Sequence, residues 1–369
     1  MEVFTGMTEH NHEQVVFGYD KEAGLKAIIA IHNTTLGPAL GGTRMWPYKS
    51  EQEALRDVLR LSRGMTYKAA VAGLNLGGGK AVIIGDPERD KNEILFRAFG
   101  RLVEGLHGRY VTAEDVGVSV RDVEWMRSET QYVVGISESL HGSGDPSPVT
   151  ARGVHYGIKA CMEEVFGSSV LRGVRVAIQG LGHVGVYLAE MLHREGAKLI
   201  VSDLHENRVK EVVDKYKATA VHADEIYAVD AEIFAPCALG GVVNDSTLPQ
   251  FNFKIIAGAA NNQLEDGRKH NLALKEKDIL YAPDYVINAG GLINVANEIE
   301  GYNRDRAMTQ VENIYHILKD VFRVAKTEDI PTNIASNRIA EDRIKAIAQL
   351  RRKFVSKPVG AYKHGRVFN

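Results

Sequence analysis

Two lysines bracket eleven uncharged residues, Lys68-AAVAGLNLGGG-Lys80, and a lysine with such apolar flanks is a candidate general base. A base that works near neutrality needs a neutral amine, which burial beside a second cation favours. A phosphate-binding P-loop is excluded, because Ala81 stands where Ser or Thr must follow the lysine and no GxxxxGK spacing exists. Asp115, in the string TAEDVG from Thr112 to Gly117, is a candidate partner acid. The same carboxylates, Glu114 and Asp115, also read as the opening of a helix, where they would suit its dipole. Both readings stand at this point.

A second constellation is Gly180-Leu-Gly182-His183-Val184-Gly185, followed by Asp203 18 residues after Gly185. The glycine pattern alone is weak, but here a strand precedes it, a helix follows it, and an acid ends the next strand, as a dinucleotide site requires. Gly180 permits the turn, Gly182 lets backbone approach a pyrophosphate, and Gly185 lets the helix pack on its strand. Asp203 would accept hydrogen bonds from ribose hydroxyls and repel a 2′-phosphate, which favours NAD over NADP. The plainer alternative is a structural strand-to-helix turn beside an unrelated surface aspartate. His183 reads as a solvated or capping residue.

The elements that must position these groups follow from the hydrophobic pattern. LKAIIAI, Leu25 to Ile31, reads as a strand, and Ser50 with Glu53 forms a capping box ahead of a helix bearing Leu55, Val58 and Leu59. Ala81 to Ile84 and Tyr110 to Thr112 read as strands, with a helix carrying Leu95, Phe99, Leu102, Val103 and Leu106 between them. HGSGDPSP, His141 to Pro148, reads as a hinge, which puts a domain boundary between residues 145 and 146. Strands are then expected at Val174–Ile178, Leu199–Ser202, Glu232–Ala235, Lys254–Ala257 and Tyr285–Ile287, alternating with helices as in a parallel doubly wound sheet. One long helix is expected over Arg306–Lys326 and another over roughly Ile334–Lys353, within a C-terminal stretch, 331–369, that packs back onto the first domain. The fold class is therefore α/β in two domains, 1–145 and 146–330, separated by a cleft.

Composition narrows the function. With 45 Lys plus Arg against 47 Asp plus Glu the net charge is −2, which gives no reason to expect a nucleic-acid partner. No apolar stretch approaches the roughly 18 residues of a membrane span, and the first residues lack the apolar core of a secretory signal. Two cysteines, Cys161 and Cys237, fit a reducing, cytoplasmic setting. The 13 histidines show no metal-ligand spacing, so no metal is expected. Glycine is abundant at 36 residues, and the Gly77–Gly79 cluster reads as backbone lying against a ligand.

Longer strings carry a family resemblance: LGPALGGTRMW at Leu36, LSRGMTYK at Leu61, GLNLGGGKAVIIGDP at Gly73, TAEDVG at Thr112, IFAPCALGG at Ile233 and YAPDYVINAGG at Tyr281. Through most of its length the chain resembles the glutamate, leucine, phenylalanine and valine dehydrogenases. The resemblance implies an N-terminal substrate and oligomerisation domain, an NAD-binding Rossmann domain, and oxidative deamination of an amino acid to a 2-oxo acid and ammonia. It implies that Lys68 binds the substrate carboxylate, that Lys80 activates water and assists amine deprotonation, and that Asp115 exchanges protons with nitrogen. Gly41 and Gly42 would border the substrate, Asn262 would hold the carboxylate or the nicotinamide side, and Thr150 would lie near the carboxamide. Val184, Cys237, Ala238, Asn261 and Asn288 join the glycine string and Asp203 on the cofactor side, with Cys237 as packing and not a nucleophile.

Glutamate dehydrogenases carry a lysine where this chain has Leu40. With Leu40, Ala113, Leu292 and Val295 matched to the pocket wall, a charged side chain would lie buried and unpaired, so branched-chain amino acids fit. Leu292 replaces a frequent valine, which alters pocket volume. An aromatic amino-acid dehydrogenase is the alternative within the family, and a non-catalytic NAD-binding sensor the alternative outside it. Relatives form symmetric homo-oligomers, often octamers; neither nucleic acid nor membrane is an expected partner.

Overall fold

A computed structural model describes residues 2–353. The part of the expected 331–369 stretch beyond residue 353 lies outside the described residues. The chain divides into two compact units: Met1–Asp145 with Asn294–Arg304 and the chain from Ala340 onward, and Pro146–Ile293 with Asp305–Ile339.

The first unit runs α1 (Val3–His10), β1 (Gln14–Asp20), β2 (Leu25–Asn33), β3 (Ala39–Leu40), β4 (Thr43–Trp46), α2 (Glu51–Val71), β5 (Gly77–Ile84), α3 (Glu93–Glu104), β6 (Tyr110–Val111) and α4 (Val120–Arg127). Its sheet has the order β1-β2-β5-β3-β6, with β4 also on β5. LKAIIAI is a near-continuous apolar run because β2 is buried on both faces. Ile29 and Ile31 pack with Phe96, Phe99 and Val103 of α3, whereas Ile28 and Ala30 join Val82 against Leu55, Val58 and Leu59 of α2. Ser50 caps α2 by accepting from Glu53 N at 3.2 Å. The reciprocal half of the expected capping box is displaced by one residue, since Glu53 Oε2 accepts from Lys49 N at 2.8 Å.

The glycine cluster corrects an expectation. Gly77, Gly78 and Gly79 lie inside β5, fully buried, and it is the protein's own chain that presses on them. A Cβ at Gly77 would sit 2.0 Å from Asn33 O, and one at Gly78 2.0 Å from Thr66 N. The cluster thus lets α2 and β2 approach the strand that carries Lys80, a packing need that composition cannot separate from ligand contact.

Where α2 meets β2, His12 and His32 lie edge to face, 4.8 Å between ring centroids. His32 Nδ1 is 2.8 Å from Thr66 Oγ1 and its Nε2 3.0 Å from His10 O. Burial, then the neighbouring His12, push His32 down from 6.5 to about 4. Neutral in both states above 6.5, His32 costs stability as pH falls from 6.5 toward 4, because only the unfolded chain takes up the proton. Over that window we expect wild type to lose up to about 3 kcal/mol more than His32→Gln. Thermal midpoints of the two at pH 7.5 and pH 5 check this; equal losses would refute it.

The second unit runs α5 (Ser147–Phe166), β7 (Arg175–Gln179), α6 (His183–Arg194), β8 (Lys198–Ser202), α7 (Glu206–Tyr216), β9 (Thr219–Ala220), β10 (Ile233–Pro236), β11 (Ile255–Ile256), α8 (Lys269–Glu276), β12 (Leu280–Tyr281), α9 (Asp284–Ile287) and α12 (Ile314–Thr327), while α10 (Gly290–Ala296), α11 (Arg304–Glu312) and α13 (Thr332–Lys353) have residues in both units. Its six strands are all parallel in the order β12-β11-β10-β7-β8-β9. Numbered from β7, that is 3-2-1-4-5-6 reversed, the dinucleotide-binding order with its switch point between β7 and β10.

Three expectations change. Tyr285–Ile287 is the helix α9 and the last strand is β12; so short an apolar run has no period to tell the two apart, and Pro283 and Asp284 start a helical turn. The expected helix over Arg306–Lys326 is two helices broken at Asn313. Residues 294–304 belong with the first unit rather than the second, because Glu298 accepts from Gly135 N at 3.0 Å and Ser143 N at 2.7 Å.

Candidate active site

In the first unit the site is built at an interruption. β3 and β4 both run parallel to β5, and the chain leaves the sheet between them at Gly41-Gly42, opposite Gly79 and Lys80. A Cβ at Gly41 would lie 1.8 Å from Gly79 O, and one at Gly42 2.2 Å from Glu114 O and 3.0 Å from Asp115 Cβ. Both glycines are therefore required by close approach. The buried Tyr110 hydroxyl donates to Gly41 O at 2.5 Å and fixes the gap.

TAEDVG does not open a helix. It runs beside β4, with Thr43 N donating to Ala113 O at 2.8 Å, Met45 N to Val116 O at 2.9 Å, and the Thr43 and Thr112 hydroxyls 2.6 Å apart. α4 begins only at Val120, capped by Ser119. The helix-start reading of Glu114 and Asp115 is thereby removed. Asp115 instead turns toward β5, where Lys80 Nζ lies 2.7 Å from its Oδ2. The lysine side chain is 8% exposed and the aspartate side chain 24%, so the amine is shielded from bulk solvent and the carboxylate is mostly so. The oxygen that Lys80 meets is also approached by the Arg44 guanidinium, whose Nε lies 3.2 Å from it. Burial pushes Asp115 up, but Lys80 and then Arg44 outweigh it and hold the carboxyl below the usual range. Glu114 goes the other way: burial, then Asp145 and Asp115, raise it.

Lys68 is half-buried on α2, two residues after the Thr66 backbone that presses on Gly78 of β5. Leu40 is 1% exposed on β3. Ala113 and Val295 come together around Gly135, where an added Cβ would lie 3.9 Å from Ala113 Cβ and 3.8 Å from Val295 Cγ1. Leu292, buried, stands one turn before Val295 on α10 but in the second unit.

In that unit the remaining residues gather at the carboxyl ends of the strands. Gly180 has φ +96, and Cys237 N donates to Gln179 O at 2.7 Å, which brings Ala238 against Gly180. A Cβ at Gly185 would lie 2.1 Å from Gly180 O, whereas one at Gly182 meets nothing within 4 Å. The loop thus leaves open space at the N-terminus of α6, where His183 and Val184 begin the helix and unpaired amides suit a pyrophosphate. His183 is exposed. Asp203 accepts from Leu181 N at 2.6 Å and His205 N at 2.8 Å, so it braces the glycine loop. Asn288 Nδ2 donates to Asn261 Oδ1 at 2.7 Å, and Asn262, exposed with φ +51, accepts from Gly241 N through its carbonyl. Thr150 Oγ1 donates to Pro146 O at 2.9 Å and would meet a side chain at Gly291. Cys237 is buried enough that its thiol is pushed up to about 12, which suits packing and not nucleophilic attack. These residues fit a dinucleotide: a turn, a cradle that a side chain would fill, and an acid.

Sequence reasoning missed Arg44, whose Nε lies 3.2 Å from Asp115 Oδ2, and Glu298, whose half-buried carboxylate holds the loop after Gly135. Arg44 had a signal, as the one charge in LGPALGGTRMW; Glu298 had none.

The Glu/Leu/Phe/Val dehydrogenase dimerisation domain matches residues 12–132, and the Glutamate/Leucine/Phenylalanine/Valine dehydrogenase domain matches residues 142–205 and 200–351. The chain is 58% identical over 355 residues to leucine dehydrogenase of Geobacillus stearothermophilus, covering 96% of each, and 52% identical over 352 residues to phenylalanine dehydrogenase of Lysinibacillus sphaericus, covering 94% of this chain and 92% of that one. The crystal structure of L-tryptophan dehydrogenase from Nostoc punctiforme superimposes with a TM-score of 0.84 at 50% identity, covering 94% of this chain and 99% of that one. Among the described residues no helix is long and apolar enough to cross a membrane. With both domain patterns matched in order and identity carried through almost the whole length, the chain belongs to the Glu/Leu/Phe/Val dehydrogenase family of amino-acid oxidoreductases.

Proposed function

We propose that the protein catalyses reversible oxidative deamination of branched-chain L-amino acids, leucine first among them, with NAD, releasing a 2-oxo acid and ammonia. The observation that carries this is the shielded Lys80–Asp115 pair beside the Gly41-Gly42 gap, with apolar Leu40 on the neighbouring strand. Lys68 pairs with the substrate carboxylate. Asp115 and Lys80 take the proton that the substrate ammonium must lose. The glycine loop Gly180–Gly185 with Asp203 would hold a nicotinamide dinucleotide, which would supply the acceptor for the α-carbon hydride. Lys80 takes a proton from the water that adds to the iminium carbon and passes it to solvent, Asp115 returns one to nitrogen, and the neutral Lys80 takes the hydroxyl proton as the carbonyl forms and ammonia leaves. Both groups thus alternate between accepting and donating, which is why they sit on one shared contact.

Leu40, Ala113 and Val295 offer nothing to pair a side-chain charge, so an acidic side chain would be buried alone. The relatives named for leucine share slightly more of this sequence than those named for aromatic amino acids. An aromatic substrate is the second reading, favoured by the small residues Ala113 and Gly135 next to Val295. Asp203 supports NAD over NADP within a family that uses either. A non-catalytic sensor would have no use for the lysine pair. A homo-oligomer, an octamer by analogy with relatives, working in the cytoplasm completes the reading, supported by the dimerisation-domain match.

One substrate panel tests it by following NADH absorbance. We expect kcat/KM for leucine, isoleucine and valine to exceed that for glutamate by at least about 10³-fold, as an uncompensated buried charge of about 4 kcal/mol would give. NAD should exceed NADP. Phenylalanine or tryptophan well above leucine would transfer the assignment to the aromatic reading, and glutamate as the best substrate would overturn both.

A further inference from the structure

Arg44 sits behind the reacting pair. Its Nε donates to Asp115 Oδ2 at 3.2 Å, the same oxygen that Lys80 Nζ approaches at 2.7 Å, and its Nη1 donates to Asp57 Oδ2 at 2.9 Å. Asp57, on α2, is held in turn by the Tyr48 hydroxyl at 2.8 Å and Arg60 Nη2 at 2.9 Å. The guanidinium therefore ties β4, α2 and the TAEDVG string to one another. Both cations meet the same oxygen, Oδ2. From these contacts we propose that Arg44 is a positioning residue for deamination, which aims Asp115 and returns it to the carboxylate form between its proton exchanges with nitrogen, while Lys80 gains and loses its own proton. This inference rests on the function proposed above.

The physical need arises within the cycle. Each time Lys80 becomes a neutral amine, Asp115 loses one of its two cations. A lysine and an aspartate alone would then share a single proton, and the carboxyl would compete for it. A guanidinium does not release its proton, so its charge is constant through the cycle. The other ionisable groups around Asp115 do not replace it: Glu114 and Asp57 are acids, Tyr110 is a buried phenol, and Lys80 is the partner that titrates. Removing Arg44 therefore raises Asp115 and moves the acid limb of the reaction to higher pH.

The test is the pH profile of kcat/KM for Arg44→Gln and Arg44→Lys against wild type. Arg44→Gln should shift the acid limb upward by about one pH unit, the lower end for a lost opposite charge, with KM for the amino acid within about threefold. Arg44→Lys should bring the limb back to within about 0.3 units yet recover only part of kcat, because an ammonium lacks the fork that spans two carboxylates. An unmoved limb in Arg44→Gln, or equal losses in both variants with the wild-type limb, would assign Arg44 to the fold alone. If Arg44→Gln does not fold, Arg44→Lys decides: unchanged kcat, or a limb raised by a full unit, overturns the proposal. An infrared titration without substrate, comparing Arg44→Gln with Arg44→Gln/Asp115→Asn, gives a second readout. The protonated carboxyl band of Asp115 should appear at higher pH in Arg44→Gln than in wild type. Should wild type deaminate no amino acid, the proposed function fails, while the infrared titration still judges Arg44.

Discussion

Lys80→Ala should lower kcat for amino-acid oxidation by about 10³-fold or more and leave dinucleotide affinity within about threefold. Proton transfer by a positioned side chain contributes on the order of 10²–10⁴. The other cation on Asp115, Arg44, cannot take over the role, because a guanidinium keeps its proton. The fold should tolerate the change, since Asp115 keeps Arg44 at 3.2 Å and is not left as an unpaired buried charge. The variant also opens space for water where the amine stood, which is why some turnover should persist. Steady-state NADH formation measures the first part, and fluorescence titration with the dinucleotide measures the second. Deamination at the wild-type rate would remove the mechanism outright; loss of both activity and dinucleotide binding would point to a damaged fold.

The second large effect belongs to the other unit. Gly185→Ala adds a methyl group 2.1 Å from Gly180 O, a backbone atom that cannot swing aside. The N-terminus of α6 must move away from β7, and with it the amides that face the open space at Gly182. We expect dinucleotide Kd to rise at least about 10²-fold, as a displacement near 1 Å costs at a preorganised site. Overpacking of about 1–3 kcal/mol should lower the thermal midpoint by a few degrees. Gly182→Ala is the informative contrast: nothing lies within 4 Å of its added Cβ, so stability should hold while the dinucleotide, which needs that space, binds more weakly. If Gly185→Ala binds as tightly as wild type, the close approach is not what shapes the loop.

The parts legible in advance were those with a period or a rigid local rule. β2 announced itself by seven apolar-dominated residues, α2 by Ser50 and its stripe, and the second sheet by a glycine string set between strand and helix with Asp203 at the right distance. Parts set by other segments were not legible. Gly77 to Gly79 looked like a ligand cradle but lie against Asn33, Thr66 and Tyr110. Residues 294–304 looked like a continuation of the second unit until Glu298 met Gly135 and Ser143. Tyr285–Ile287 was too short to choose between strand and helix.

By itself, then, the order of residues determined which chemistry was available: two lysines in an apolar frame, an aspartate beside a short strand, and a glycine turn for phosphate. Those properties are local, fixed by backbone sterics and side-chain type within a few positions. Only the tertiary structure decided how the groups act together. It set Lys80 against a carboxylate, turned Asp115 away from a helix start toward β5, and brought Arg44 to the same oxygen. Such pairings join residues 35 and 71 positions apart, and the energy of a charge depends on what is folded around it, which no neighbouring residue in the chain encodes.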